Sequence, residues 1–192
     1  MKKQKLYTLI KIALFLFILN GLVFALLGFE KDQEVAGASP FLEKELDELS
    51  TYFSQSEALD TSVSQVPVAW HLDHSLKVIN RIHDTLTASN PKDYSINLNP
   101  VRIAVFTSGK MPRGRGKAPR SVLPPDTITL SALEAQFIEA QGQTAQWDTL
   151  AKHAHFTHPV FGKLHRQHSK QFIIIHTQHH LAIIRDILQK QP

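Results

Sequence analysis

Apolar residues recur with a helical period over four stretches of this chain. Phe41, Leu42, Leu46, Leu49 and Phe53 form the first stripe; Ser39-Pro40 ahead of them supplies an N-cap and a first-turn proline, and the helix is predicted to end near Ser56. Val68, Leu72, Leu76, Ile79, Ile82 and Leu86 line one face of a second helix, from about Ser64 to Ala88, which Asn90-Pro91 stops. The capping box Ser131-Ala132-Leu133-Glu134 opens a third helix that continues to about His153. A fourth, from about Arg166 to Lys190, carries Phe172, Ile173, His176, His180, Ile183, Ile184 and Ile187 on one face. Residues 90–130 form a connection rich in Pro and Gly, in which Val101 to Phe106 fits a short strand or a helical turn equally well. Residues 154–164 form a second, turn-like connection. The pattern predicts an all-α four-helix bundle with a long crossover between helices 2 and 3.

Ahead of the bundle, Tyr7 to Phe29 is apolar almost throughout, and no charge falls in the 18 residues from Ile12 to Phe29. That is long enough to span a bilayer with Lys11 reaching back to the interface. Lysines precede it and Glu30, Asp32 and Glu34 follow, so the positive-inside rule predicts a cytoplasmic N-terminus and an exported domain, periplasmic or extracellular. Ala36-Gly37-Ala38 offers an alternative, cleavage of a signal segment and secretion. The expected organisation is a membrane anchor or signal segment at 1–29, a polar linker at 30–38 and the bundle domain at 39–192, with the lipid bilayer as a partner through residues 7–29.

Of the 192 residues, 43% are hydrophobic, enough for one domain with a core of its own. The net charge of +4 is concentrated in two places, the N-terminal lysines and a loop holding Lys110, Arg113, Arg115, Lys117 and Arg120. Charge so localised, without a recognition helix or an aromatic sheet, does not point to nucleic acid. The loop is a candidate site for an anionic substrate group or lipid headgroup, with a solvated connection as the plainer alternative. Cysteine is absent, which excludes disulfides, thiolate metal ligands and a cysteine nucleophile.

The chemistry concentrates in the histidines. His176 and His180 lie one turn apart at the centre of the apolar stripe of the last helix, the spacing by which a helix offers a metal two nitrogen ligands. On the second helix His71 lies at the border of the stripe, roughly 70° from its centre, and His74 further toward solvent. This makes His71 the expected third ligand and His74 a reserve or outer-sphere group. Asp73 and His74 are the candidate acid/base residues, with a polar solvent-face position the stronger reading for Asp73. His158, before Pro159, is a candidate for the mouth of the site; His153, His155, His165 and His168 read as surface groups.

Three separated motifs now carry a resemblance. Trp70-His-Leu-Asp-His-Ser-Leu76, His158-Pro-Val-Phe-Gly-Lys-Leu164 and His176-Thr-Gln-His-His-Leu181, with the loop Met111 to Pro119, resemble the DUF1569 branch of the DinB/YfiT-like superfamily. The resemblance covers about residues 40–188 and implies a four-helix bundle holding a divalent metal through His71, His176 and His180. It also implies a small-molecule substrate and admits a homodimer. Zn, Ni, Fe and Mn all suit such ligands. The superfamily includes thiol-dependent transferases and members assigned as hydrolases. The functional expectation is therefore a metal-dependent hydrolase or group transferase on a small molecule, exported and membrane-anchored. The alternative is a non-catalytic bundle that binds a metal or a partner.

Overall fold

The apolar stripes become the faces on which helices meet. The computed structural model describes residues 41–114 and 116–189. Among them are five α-helices: α1 (Glu43–Thr51), α2 (Val68–Ala88), α3 (Pro100–Ser108), α4 (Leu130–Ala145) and α5 (Arg166–Gln189). Two short strands, β1 (His155–His158) and β2 (Gly162–His165), pair antiparallel with His155 opposite His165 and His158 opposite Gly162. Helices α1 and α2 each pack against α4 and α5, and α3 and the hairpin lie against α5. The seam is filled by Leu46, Leu49, Leu72, Leu76, Ile79, Leu133, Ile173, Ile184 and Ile187, each less than 3% exposed.

The all-α expectation is corrected by the hairpin and by the extra helix in the crossover. Asn99 decides between strand and helix for 101–106: its side chain accepts from the backbone N–H of Arg102 at 2.8 Å, Pro100 follows at the first helical position, and Gly109 closes the helix at φ 64°. The hairpin escaped notice because four-residue strands hold too few alternations to show a period of two. The transmembrane helix is not borne out either: among the described residues no helix is long and apolar enough to cross a membrane. The segment 7–29, the linker 30–38 and the Ser39-Pro40 helix start lie outside the described residues.

Four helix ends also differ from the sequence reading. Helix α1 ends at Thr51 rather than near Ser56, and a 3₁₀ turn, Phe53–Gln55, follows it. Helix α2 starts at Val68 rather than Ser64, because Pro67 disfavours helical geometry at Val66. Helix α4 is capped by Thr129, whose hydroxyl accepts from Ala132 N at 3.2 Å, two residues before the capping box. It ends at Ala145 rather than near His153, since the chain turns to sink Trp147 fully into the core. Arg166 then satisfies the carbonyls of Asp148 and Leu150, both at 2.7 Å.

One buried cation ties the crossover to the hairpin. Arg102, 7% exposed, donates to Asn97 O at 2.6 Å, to Asn97 Oδ1 at 2.8 Å, and to the carbonyls of Phe161 and Lys163 at 3.4 Å. Gly162 faces the Asn97 side chain so closely that a Cβ there would collide with it, and its φ of 73° favours glycine in any case. Arg102→Leu strands these acceptors without a donor. It should lower stability by about 2–4 kcal/mol, read as a shift in the urea unfolding midpoint; an unchanged midpoint would show that the clamp carries no weight.

Candidate metal centre

Helix α2 is buried almost all round at its first turns, because α4, α5 and the crossover each cover a side of it. Asp73, His74 and Ser75 are all at most 5% exposed, although the stripe of large apolar residues leaves them toward solvent. The 3₁₀ turn Arg120–Val122 lies over His74, and the imidazole donates Nδ1–H to the Val122 carbonyl at 2.8 Å. This bond sets the tautomer of His74 and leaves Nε2 with a bare lone pair.

His74 thereby joins the pair on α5. His74, His176 and His180 are buried, and one ring nitrogen from each lies within 4.8 Å of the others. The ring centroids are 5.1 Å apart for His74–His176, 4.9 Å for His74–His180 and 4.6 Å for His176–His180. The set is slightly wider than the roughly 3.3 Å between nitrogens that share a tetrahedral ion at about 2.05 Å. These three histidines lie close enough together to hold a metal ion.

His71, the ligand expected from the sequence, stands behind this cluster. Its Nδ1 lies 3.0 Å from Nδ1 of His180, and its Nε2 lies 2.9 Å from Ser64 Oγ. Two Nδ1 atoms in contact need one proton between them. With that proton on His180, the Nε2 of His180 is left bare, His71 accepts at Nδ1, and its own Nε2–H donates to Ser64. The wheel preferred His71 because it lies nearer the apolar stripe; it could not register that the crossover roofs His74.

Of the buried side-chain polar atoms that lack a hydrogen-bond partner among the described residues, one belongs to this cluster. Nδ1 of His176 is buried without any partner, although His176 as a whole is 7% exposed. An orphaned imidazole nitrogen beside two others fits a metal ligand. Trp70 stacks on His74 at 4.9 Å and 26°, and Phe172 packs on His176 at 5.4 Å, so aromatic rings flank the cluster on two sides.

The other candidates have separate places. Asp73 turns to α4, where Oδ2 accepts from Gln136 Nε2 at 2.8 Å and Oδ1 pairs with Lys77 at 2.6 Å. Arg113 pairs with Asp186 on α5 at 2.8 Å, and the carbonyl of Met111 bonds His179, so the basic loop is fastened along α5 beside His180. Lys110 and Lys117 are exposed, and Arg115 lies outside the described residues. His158 stacks on Phe161 at 4.4 Å and meets Phe172 at 4.7 Å, close to His176. His165 is buried instead of exposed: its Nδ1 accepts from the N–H groups of Gln167 and His168 at 3.2 and 3.4 Å and caps α5. No sequence signal marks His165 as a cap, because histidine is not a usual N-cap residue.

Burial governs the charge of these rings. Desolvation, before any neighbouring charge, holds His176 and His180 well below the ordinary imidazole value, lowers His74, and pushes His71, His158 and His168 down to about 4. All are therefore neutral at pH 7. The unfolded chain protonates them near pH 6.5 while the folded chain refuses the proton until lower pH, so protons favour the unfolded state in that window. Stability of the chelator-treated protein should be full above about pH 6.5 and fall steadily toward pH 4. Urea midpoints at intervals across that range measure it; a flat profile would mean that the imidazoles are not held neutral.

No curated protein and no solved structure matches the chain. One family model does, over residues 42–186, a span that includes the three clustered histidines, His71 and the crossover. The chain belongs to that family, described as DUF1569, a protein of unknown function.

Proposed function

We propose that the protein is a metal-dependent enzyme, a hydrolase or group transferase acting on a small molecule, with His74, His176 and His180 as its metal ligands. The observation that carries this reading is the orphaned Nδ1 of His176 beside two imidazoles whose outer nitrogens are already engaged. Among the described residues the cluster contains three donors, and three protein ligands leave a position for water or substrate, the pattern of a catalytic site. Bound there, a divalent ion supplies Lewis acidity and an activated water. A place in the DinB/YfiT-like superfamily belongs to the same reading; the helix order and the i, i+4 histidines of the last helix support it.

The chain's own groups prepare the site. Val122 O holds the His74 proton on Nδ1, and the sequence His180–His71–Ser64 holds a proton on the outer nitrogen of His180. Both arrangements aim a lone pair inward and raise its basicity. Trp70 and Phe172 exclude water from two sides of the cluster and offer apolar surface to a substrate. Asp73 is held in the seam between α2 and α4 and is not a member of this set.

Elemental mass spectrometry of protein loaded with metal should find close to one ion per chain. His74→Ala, His176→Ala and His180→Ala should each remove it. His71→Phe should keep the stoichiometry at saturating metal but weaken affinity by about 10–100-fold, the usual cost of losing an outer hydrogen bond to a ligand. Trp70, stacked on His74, gives an optical titration with Ni²⁺ or Co²⁺ through quenching of its emission. Loss of metal in His71→Phe with retention in His74→Ala would reverse the assignment of the two α2 histidines.

A further inference from the structure

His158 has a ring nitrogen that the hairpin does not use. Its Nδ1 accepts from the backbone N–H groups of Val160 and Phe161, both at 3.1 Å, and so closes the turn at Pro159. A nitrogen that accepts two hydrogen bonds carries no proton, which places the proton of the neutral ring on Nε2. Among the described residues Nε2 has no hydrogen-bond partner, and it is not one of the fully buried unpartnered atoms.

The ring is held firmly. It lies face to face with Phe161, centroids 4.4 Å apart at 15°, and edge-on to Phe172 at 4.7 Å and 61°. Phe172 in turn meets His176 at 5.4 Å, so one phenyl ring separates His158 from the cluster. Closing the turn does not require an imidazole. Asparagine or aspartate before proline accepts the same two N–H groups with a shorter side chain. Histidine adds a second N–H donor on a ring that Phe161 and Phe172 hold rigid.

Resting on the reading of the cluster as a metal site, we propose that His158 Nε2–H binds an electronegative group of the substrate, an oxygen of a carboxylate, phosphoryl or carbonyl group, while another part of the same molecule meets the metal. The substrate class is then a small molecule with two polar ends separated by roughly the width of an aromatic ring, its middle lying against Phe172. As a neutral donor His158 adds direction rather than charge, and Phe161 and Phe172 keep that direction fixed.

The test uses the full chain loaded with Co²⁺, whose visible absorption reports changes at the ion. Acetate, succinate, glutarate and adipate serve as probes, and each is titrated into the parent, His158→Asn and His158→Phe. Asparagine keeps the turn closed but withdraws the donor; phenylalanine removes both. In the parent, one dicarboxylate should bind about tenfold tighter than acetate, the size expected for one hydrogen bond to a charged group. Both variants should lose that preference while keeping the cobalt spectrum and the affinity for acetate. Equal binding of acetate and all dicarboxylates by the parent, or a preference that survives in His158→Asn, overturns the assignment. Failure of the parent to take up Co²⁺ is a separate result that removes the metal reading and this inference together.

Discussion

An imidazole buried in an apolar seam has two nitrogens to satisfy, and four such rings between α2 and α5 leave the fold little freedom. Charge is too costly there, so each ring is neutral and presents one donor and one acceptor. Three of the four donors and one of the four acceptors are matched within the chain: His74 donates to the Val122 carbonyl, and His180 donates to His71, which donates in turn to Ser64. What cannot be matched is gathered at one point, the inward nitrogens of His74, His176 and His180. The geometry of α2, the path of the crossover and the position of the hairpin all follow from holding these rings in place.

The crossover is accordingly more than a connection. Val122 reaches the back of His74, Met111 reaches His179, Arg113 pairs with Asp186, and Arg102 locks α3 onto the hairpin that carries His158. Of the basic residues that stand out in the sequence, Arg113 is partly engaged in fastening this segment to α5, while Arg102, which drew no attention, is the buried one. Gly109 and Gly114 take positive φ where the segment turns, and in the hairpin Gly162 does the same and yields space to Asn97. A long loop rich in Pro and Gly thus becomes the roof of the site.

The sequence made the α5 side of the site legible and the α2 side ambiguous, for a physical reason. His176 and His180 interrupt a clean apolar stripe at its centre, so the pattern marks them as buried whatever else covers the helix. On α2 the stripe misleads, since a helix enclosed on several sides has no solvent face from which to judge His74, Asp73 or Ser75. The stripes mark which segments are helices, while the helix ends lie where Pro67, Thr129 or Trp147 impose a local requirement, as far as eight residues from where the pattern alone puts them. The hairpin and α3 depend on side-chain to backbone bonds from Asn99 and Arg102 that link residues distant in sequence, and on His158 closing its own turn, and no periodicity records these.

The division of labour between His71 and His74 is the centre of this account, and the nitrogens themselves can report it. Two-bond ¹H–¹⁵N correlation spectra of the imidazoles, recorded without and with one equivalent of Zn²⁺, distinguish protonated, bare and metal-bound nitrogens. The account predicts a coordination shift on one nitrogen each of His74, His176 and His180, with His71 keeping a bare Nδ1 and a protonated Nε2. A coordination shift on His71, with His74 unchanged, would contradict it.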